Sequence, residues 1–310
     1  MHIEIQKQGK KKKYYLAHSF REGKKVKKIR RYLGSDLPKK QIEKLRIRAG
    51  EILKQQIESY KVIKDPLKYE LKEKDIKKIN NISLPLKIRH LSEEEWQGFI
   101  EVFTYNTNAI EGSEVTQKEV EQILEKDSWP SDVSKQDISE TYGVAEAINY
   151  IRRTKTHLSI KLIQDLHKIV FKNSKSFAGK FRTKGTEVVI RDGTGNILHV
   201  GAPSNRIAGL IEELVVWYGK NKEKYPVLVL AAVVHNQFEN IHPFEDGNGR
   251  VGRLLLNNIL LKHKFSPVNV SFTNRRDYYG AIRAYQNKGD IKPTIDLILK
   301  EYKNLKNQLR

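Results

Sequence analysis

The sequence predicts a mainly α protein: a helical core carrying one β-hairpin flap, preceded by a small basic α+β module. Three observations lead there. From about residue 67 onward, apolar residues recur at helical spacing in one segment after another. Glu187 to Val200 breaks that rhythm, with β-branched runs on either side of Asp192–Gly193–Thr194–Gly195, and reads as a hairpin. The first 36 residues interleave Tyr, Val and Ile with Lys and Arg, as half-buried strands do.

The elements follow in order. Ile3–Gln6, Lys13–Arg21 and Lys25–Tyr32 are the expected strands, with turns at Gly9 and at Glu22–Gly23. Leu37–Pro38 opens a helix that runs to about Ile63, its apolar face made by Ile42, Leu45, Ile52, Leu53 and Ile57; Pro66 breaks it. Ser92-Glu93-Glu94-Glu95 is a capping box ahead of a periodic run. Helices are then expected over Thr116–Glu125, Lys135–Thr154, Ile160–Lys172, Asn205–Lys220, Pro226–Asn240, Gly249–His263 and Asp277–Asn287, and from Pro293 to the end. A lone hairpin is marginal in water, so Glu187–Val200 must dock on the bundle, with an outer edge left to pair with another chain.

Composition bounds the function. Of 310 residues, 58 are Lys or Arg and 37 are Asp or Glu, a net charge of +21. That length favours one large domain with an appendage, at 67–310 and 1–66. Residues 1–80 hold 25 basic and 10 acidic side chains, so the first quarter carries most of the field. Such a block attracts anions, nucleic acid first, although a solvated lysine-rich face has the same composition. With no cysteine, thiol catalysis, thiolate metal sites and iron–sulfur clusters are excluded. No apolar run approaches a membrane span and no signal peptide opens the chain, so a cytoplasmic protein with no membrane partner is expected.

The chemistry sits in His242-Pro243-Phe244-Glu245-Asp246-Gly247-Asn248-Gly249-Arg250-Val251-Gly252-Arg253, between two apolar helices. Gly247 and Gly249 let the backbone turn tightly and approach a ligand. The first N–H groups of the following helix make an anion site there. Arg250 and Arg253, three apart, share a face beside it and suit a polyphosphate. Asp246 at the mouth can hold Mg²⁺ bridging phosphate oxygens. A neutral His242 can take a proton from an attacking hydroxyl. Singly, each residue has a structural alternative: a helix cap, a turn, a loop. Together they place a base, a metal ligand, an amide cradle and two clamps within twelve residues.

This stretch resembles the Fic (filamentation induced by cAMP) signature His-x-Phe-x-Asp/Glu-Gly-Asn-Gly-Arg-x-x-Arg at every fixed position. Gly179–Lys180–Phe181–Arg182 is similar to the family's segment before its flap, and Asp277–Tyr278–Tyr279 and Gly289–Asp290 to its C-terminal part. The resemblance covers roughly residues 90–300 and implies a Fic-type helical core with one hairpin. It implies a Mg²⁺-dependent nucleotidyltransferase that moves AMP from ATP to a Ser, Thr or Tyr hydroxyl of a target protein, itself included. His242 would be the general base and Asp246 the Mg²⁺ ligand. Gly247, Asn248 and Gly249 would form the anion hole, with Arg250 and Arg253 on the β- and γ-phosphates. Tyr279 and Asn287 resemble adenine-pocket positions, with helix packing as the alternative. Glu187, Val188, Val189 and Ile190 would be the target-docking edge of the flap.

Upstream, Thr107-Asn108-Ala109-Ile110-Glu111-Gly112 fits the family's inhibitory pattern Ser/Thr-x-x-x-Glu-Gly/Asn. It implies that Glu111 pairs with Arg253 within the same chain and blocks the γ-phosphate site. The same carboxylate could position a water for removal of AMP. The basic residues 1–66 loosely resemble the small β-arms of some transposases; nucleic acid and an acidic protein target are both open as partners. A second class of function is therefore a nucleic-acid-binding regulator with a nucleotide-responsive core. A homodimer is compatible with the sequence.

Overall fold

The alternation near the N-terminus resolves into β1 (His2–Gln8), β2 (Lys11–Glu22) and β3 (Lys25–Ser35), an antiparallel sheet in the order β1-β2-β3. The computed structural model describes residues 1–22, 25–63, 73–83, 91–183, 188–191 and 197–308. Because side chains alternate across a strand, Leu16 and Ile29 fall on one face and bury against Ala49, Leu53 and Ile57 of α1 (Lys39–Ile63). The opposite face carries Tyr15 paired with Tyr32, Ala17 with Arg30 and Ser19 with Lys28. α1 also packs on the hairpin and touches α8, so the module leans on the core. The expected break at Pro66 and the turn at Gly23 lie outside the described residues. A further lysine-rich helix, α2 (Glu73–Ser83), follows; only a general helical rhythm anticipated it.

The core begins at α3 (Glu93–Ile110), closed at its start by the expected box: Glu95 N–H donates to Ser92 Oγ at 3.1 Å, and Ser92 N–H to Glu95 Oε2 at 2.7 Å. Thr116 and Glu119 repeat the device for α4 (Gln117–Lys126). α5 (Lys135–Arg153), α6 (Ile160–Phe171), α7 (Ile207–Asn221), α8 (Val227–Ile241), α9 (Asn248–Lys262), α10 (Arg275–Lys288) and α11 (Lys292–Gln308) complete it. These agree with expectation to within a residue or two at most ends. At the start of α7, Ser204–Arg206 is a 3-10 turn, where the sequence suggested α-helix from Asn205.

α8, apolar from Val227 to Val234 and carrying buried His235, Asn236, Gln237, Glu239 and Asn240 beyond, lies at the centre, buried from Leu228 to Ile241, with α7, α9, α10 and α11 packed about it. Its burial fixes both ends of the loop that follows. No helix among the described residues is long and apolar enough to cross a membrane.

The hairpin forms with β4 (Val189–Arg191) and β5 (Ile197–Val200), pairing Val189 with Val200 and Ile190 with His199. Glu187 and the turn at 192–196 lie outside the described residues. Expected to dock on the bundle, the hairpin instead packs largely on the N-terminal module, where β5 meets α1 and Val189 lines a pocket with Leu33, Leu45, Ala49 and Ile52. It is tied to the bundle just past β5, where Ala202 N–H donates to Ile241 O at 3.0 Å. Its outward side chains are Ile190 and Leu198, both exposed.

Gly143 sets the spacing of α5 and α6. A Cβ there would run into the Val170 carbonyl. Gly143→Ala should therefore destabilise the core by overpacking, by about 1–3 kcal/mol. A lower urea midpoint with an unchanged m-value is the expected reading; an unmoved midpoint would show that the two helices can separate freely.

Candidate active site

The loop is shaped by the residues that stop one helix and start the next. His242 caps α8 in the left-handed region, with φ 51° and ψ 62°. Pro243 cannot continue the helix, and Phe244 buries completely. Gly247, at φ 78°, is the N-cap of α9, and the Phe171 ring occupies the space that a Cβ there would need. Asn248 turns its side chain back and braces the loop, accepting from Phe244 N–H at 2.9 Å and donating to Phe244 O at 3.0 Å. Asp246 Oδ1 accepts from Gly247 N–H at 2.7 Å. Of the expected amide cradle, Gly247 N–H is thus engaged by Asp246, and the first turn of α9 supplies the rest.

Two buried groups outside the loop, Arg182 and His167, hold its carbonyls, and a third, His199, holds one at the end of α8. Arg182 donates through Nε to His242 O at 2.8 Å and through Nη2 to Ala202 O, and its own N–H donates to Pro243 O at 2.9 Å. His167 stacks on Phe244 with centroids 3.8 Å apart; its Nδ1 accepts from Gly179 N–H at 2.8 Å, so Nε2–H donates to Asp246 O at 3.1 Å. His199 bonds Asn240 O at 3.0 Å. His242 Nδ1 lies 3.3 Å from Glu239 O, which leaves Nε2 as the lone pair that can face a substrate. Burial, and then the Arg182 charge, push His242 down to about 4, so it is neutral near pH 7.

Glu111 and Arg253 meet as expected. Arg253 is buried and donates through Nη2 to Glu111 Oε1 at 2.8 Å and to Thr107 O at 2.8 Å, through Nε to Thr107 Oγ1 at 2.6 Å, and through Nη1 to Tyr278 OH at 3.1 Å. Thr107 is in the last turn of α3 and Glu111 is its C-cap, so both reach one guanidinium. Gly112 follows at φ 95° and turns the chain away. The Glu111 carboxylate rests on Gly249, where a Cβ would overlap Oε1. An anion already fills the notch at the start of α9.

Arg250 departs from the expected pair of clamps. It is buried in an ion pair with Glu140 of α5 and lies over the Phe171 ring at 4.5 Å. It and Arg253 are committed to different walls, because three helix positions separate side chains by enough for each to find its own partner. A lysine stands nearest the loop carboxylate instead: Lys175 Nζ is 3.0 Å from Asp246 Oδ2 and 3.8 Å from Glu140 Oε1. Although burial pulls the Asp246 carboxyl upward, Lys175 and Arg250 hold it below the usual range.

Beneath Arg253 lies a carboxyl that sequence reasoning did not find. Glu239 is buried, and its Oε1 packs on Gly252, where a Cβ would overlap it and stand 3.2 Å from His235 Nδ1. Burial, with Glu111 adding to it, raises Glu239 to about 8 despite Arg253, so it holds its proton near neutrality. His235 is pushed down to about 4 by the same burial. Glu140, Arg182, His167 and Lys175 were equally invisible as site residues. Only their polar character at helix positions otherwise apolar, or in the Gly179–Arg182 segment, could have flagged them.

The remaining expected residues are looser. Tyr279 is 39% exposed and donates its hydroxyl to Ile110 O at 3.2 Å, beside Tyr278, which lies under Arg253. Asn287 is exposed in the last turn of the same helix. Val188, Val189 and Ile190 are in the flap as expected, and Val188 O accepts from Gly201 N–H at 3.1 Å.

Residues 157–260 match the Fic/DOC family. The protein adenylyltransferase Fic of Nematostella vectensis is 32% identical over 222 residues, 70% of this chain and 48% of that protein. The protein adenylyltransferase fic-1 of Caenorhabditis elegans is 29% identical over 206 residues, 64% of this chain and 39% of that protein. The chain thus spans half or less of these curated relatives. Among solved structures, a Fic domain containing signaling protein from Bacteroides thetaiotaomicron superposes with a TM-score of 0.65 at 21% identity, over 76% of this chain and 94% of that one. IbpAFic2 in complex with adenylylated Cdc42 gives 0.53 at 14% identity, over 88% and 80%. At these identities the structures speak for the fold alone.

The buried titratable groups set the pH dependence of stability. His199, held at about 3, and His235 and His242, at about 4, stay neutral in the fold but take up protons near their ordinary 6.5 when unfolded. The unfolded chain then binds more protons from about pH 4 to 6.5, and stability rises with pH there. Glu239 acts oppositely: the fold keeps, up to about pH 8, a proton that the unfolded chain releases near 4.5. Stability should peak near neutrality and fall between about pH 7 and 8. Glu239→Gln should abolish that fall, read as urea midpoints across the range; a variant that declines like the wild type would show Glu239 to be ionised in the fold.

Proposed function

Because the chain belongs to the Fic/DOC family, we propose that it is a protein adenylyltransferase, moving AMP from ATP to a hydroxyl of a Ser, Thr or Tyr in a target protein, itself included. The observation that carries this reading is the notch at Gly249. A carboxylate there, held by Arg253 at the start of α9, occupies the place an anionic phosphate would take.

The chemistry follows from the loop. His242 Nε2 takes the hydroxyl proton as the oxygen attacks the α-phosphorus. The bond from that phosphorus to the bridging oxygen breaks, and pyrophosphate leaves with the electron pair. A base held near 4 is weak, but the negative charge of an arriving triphosphate opposes Arg182 and strengthens it. Amide groups of the first turn of α9 face the developing charge, and Arg253 takes the γ-phosphate once Glu111 leaves it. Asp246, ionised and at the loop's mouth, would be the residue to hold Mg²⁺ if Lys175 gave up its Oδ2, and no cluster of three or more His, Asp or Glu side chains suited to a metal exists among the described residues. Bound there, Mg²⁺ would neutralise charge on the leaving pyrophosphate. Arg250, tied to Glu140, would brace the loop or turn to the β-phosphate by breaking that pair. Tyr279 and Asn287 remain the candidates for the adenine. Ile190 and Leu198, exposed on the flap, are suited to hold the target. ATP as substrate fits a cytoplasmic location.

Glu111 makes the resting chain inhibited, and with Arg253 free it could orient a water for the reverse reaction. The intact loop favours this reading over a nucleic-acid-binding switch.

Two expected outcomes test it. His242→Ala should retain the fold and lose all transfer of label from α-labelled ATP; undiminished labelling would sink the mechanism. The partly buried Glu111–Arg253 pair contributes about 1.5–3 kcal/mol. Glu111→Gly should therefore raise self-labelling roughly tenfold to a hundredfold. Adding Arg253→Ala to it should abolish the gain. A Glu111→Gly protein no faster than wild type would reduce Thr107–Gly112 to a helix terminus.

A further inference from the structure

A cleft of about 920 Å³ lies between the exposed face of the N-terminal sheet and the segment Pro203–Asn205 that follows the hairpin. It is remote in sequence from the loop and plays no part in the transfer chemistry. Its floor is the sheet face that does not pack on α1, and alternate positions on two strands point into it: Lys13 and Tyr15 from β2, and Lys28, Arg30 and Tyr32 from β3. Tyr15 and Tyr32 sit opposite one another in register, ring centroids 5.4 Å apart, with the Arg30 guanidinium 5.6 Å from the Tyr15 centroid. Tyr32 is 51% exposed. One carboxylate shares the face: Glu4 of β1 is paired with Lys28 and lies 3.9 Å from Arg30.

We propose that this cleft binds a single strand of nucleic acid, with phosphates on Lys13, Lys28 and Arg30 and bases against Tyr15 and Tyr32. Three features select that ligand. Cations at alternate positions follow a repeating backbone charge. Two tyrosine rings set among them offer π-faces that any base can stack on, which an acidic peptide has no use for. The wall at Pro203–Asn205 closes one side, so a flexible strand can enter where a rigid duplex meets the wall. Glu4 then acts as the competing anion that holds Lys28 and Arg30 in place while the cleft is empty.

The test uses the full chain and a fluorescently labelled, mixed-sequence single-stranded DNA of about 12 nucleotides, read by anisotropy. Binding at low salt should be saturable and should weaken with a log–log slope of roughly −2, set by about 0.7 per phosphate neutralised. Tyr32→Ala should weaken it roughly tenfold, as loss of one stacked base does. Glu4→Gln should tighten it a few-fold by freeing two cations, an outcome that a purely structural Glu4 would not give. Ser204→Trp should weaken binding by filling the cleft from the core side. Lys40→Gln, on α1 away from the cleft, should change affinity less than twofold; circular dichroism melts confirm that each variant is folded. The proposal fails if no saturable binding occurs at low salt, or if Tyr32→Ala has no more effect than Lys40→Gln. It fails too if the duplex of the same sequence binds as tightly, which would indicate an open basic face. Displacement by polyglutamate as effective as by unlabelled oligonucleotide would overturn it in favour of an acidic protein partner.

Discussion

A guanidinium buried in the middle of a protein must be answered by oxygen atoms on every side, and Arg253 imposes that demand here. Removing one partner of such a group leaves an uncompensated charge at a cost of several kcal/mol. The chain meets the demand from two directions: the end of α3 through Thr107 and Glu111, and α10 through Tyr278. Two helices are thereby fixed relative to the start of α9. Thr107 and Tyr278 bind the guanidinium from the buried side, whereas the Glu111 carboxylate is still 27% exposed. It is the partner that can be exchanged for another anion without opening the core.

The same logic explains why Glu239 keeps its proton. With Glu111 in place, a second carboxylate so close would be repelled by the first, and burial already disfavours its charge.

How much of this could be read from residues alone divides along physical lines. The helices were legible because each has an apolar stripe and several have a polar cap; Ser92/Glu95 and Thr116/Glu119 are local signals with local consequences. The loop was legible because His242 to Arg253 compresses its chemistry into adjacent positions. Glu111–Arg253 was legible only through a resemblance, since nothing local links positions 142 apart. What stayed hidden is long-range and polar: Glu140 under Arg250, Arg182 across three carbonyls, His167 stacked on Phe244. Spacing reports which face a residue shares with its neighbours on one helix, and says nothing of what another helix brings to it. That is why Arg250 and Arg253 read as a pair and yet serve different walls.

The sequence reads as one large domain with a basic appendage, and the packing ties that appendage to the hairpin. A two-stranded hairpin is marginal alone. Here it has Val189 turned toward Leu33 and Ala49 of the module, while on its other side Ala202 N–H donates to Ile241 O at 3.0 Å and Ala202 O accepts from Arg182. The hairpin is thus a bridge with one foot on the basic sheet and the other on the carbonyls that hold His242. Removing the sheet and α1 would take away one support of the flap, even though no described residue of the module touches the loop. Under the proposed function, the module's influence would then be felt in how well a target is positioned on the flap, while the loop and its Glu111–Arg253 pair, held by α3, α9 and α10, would be left largely intact.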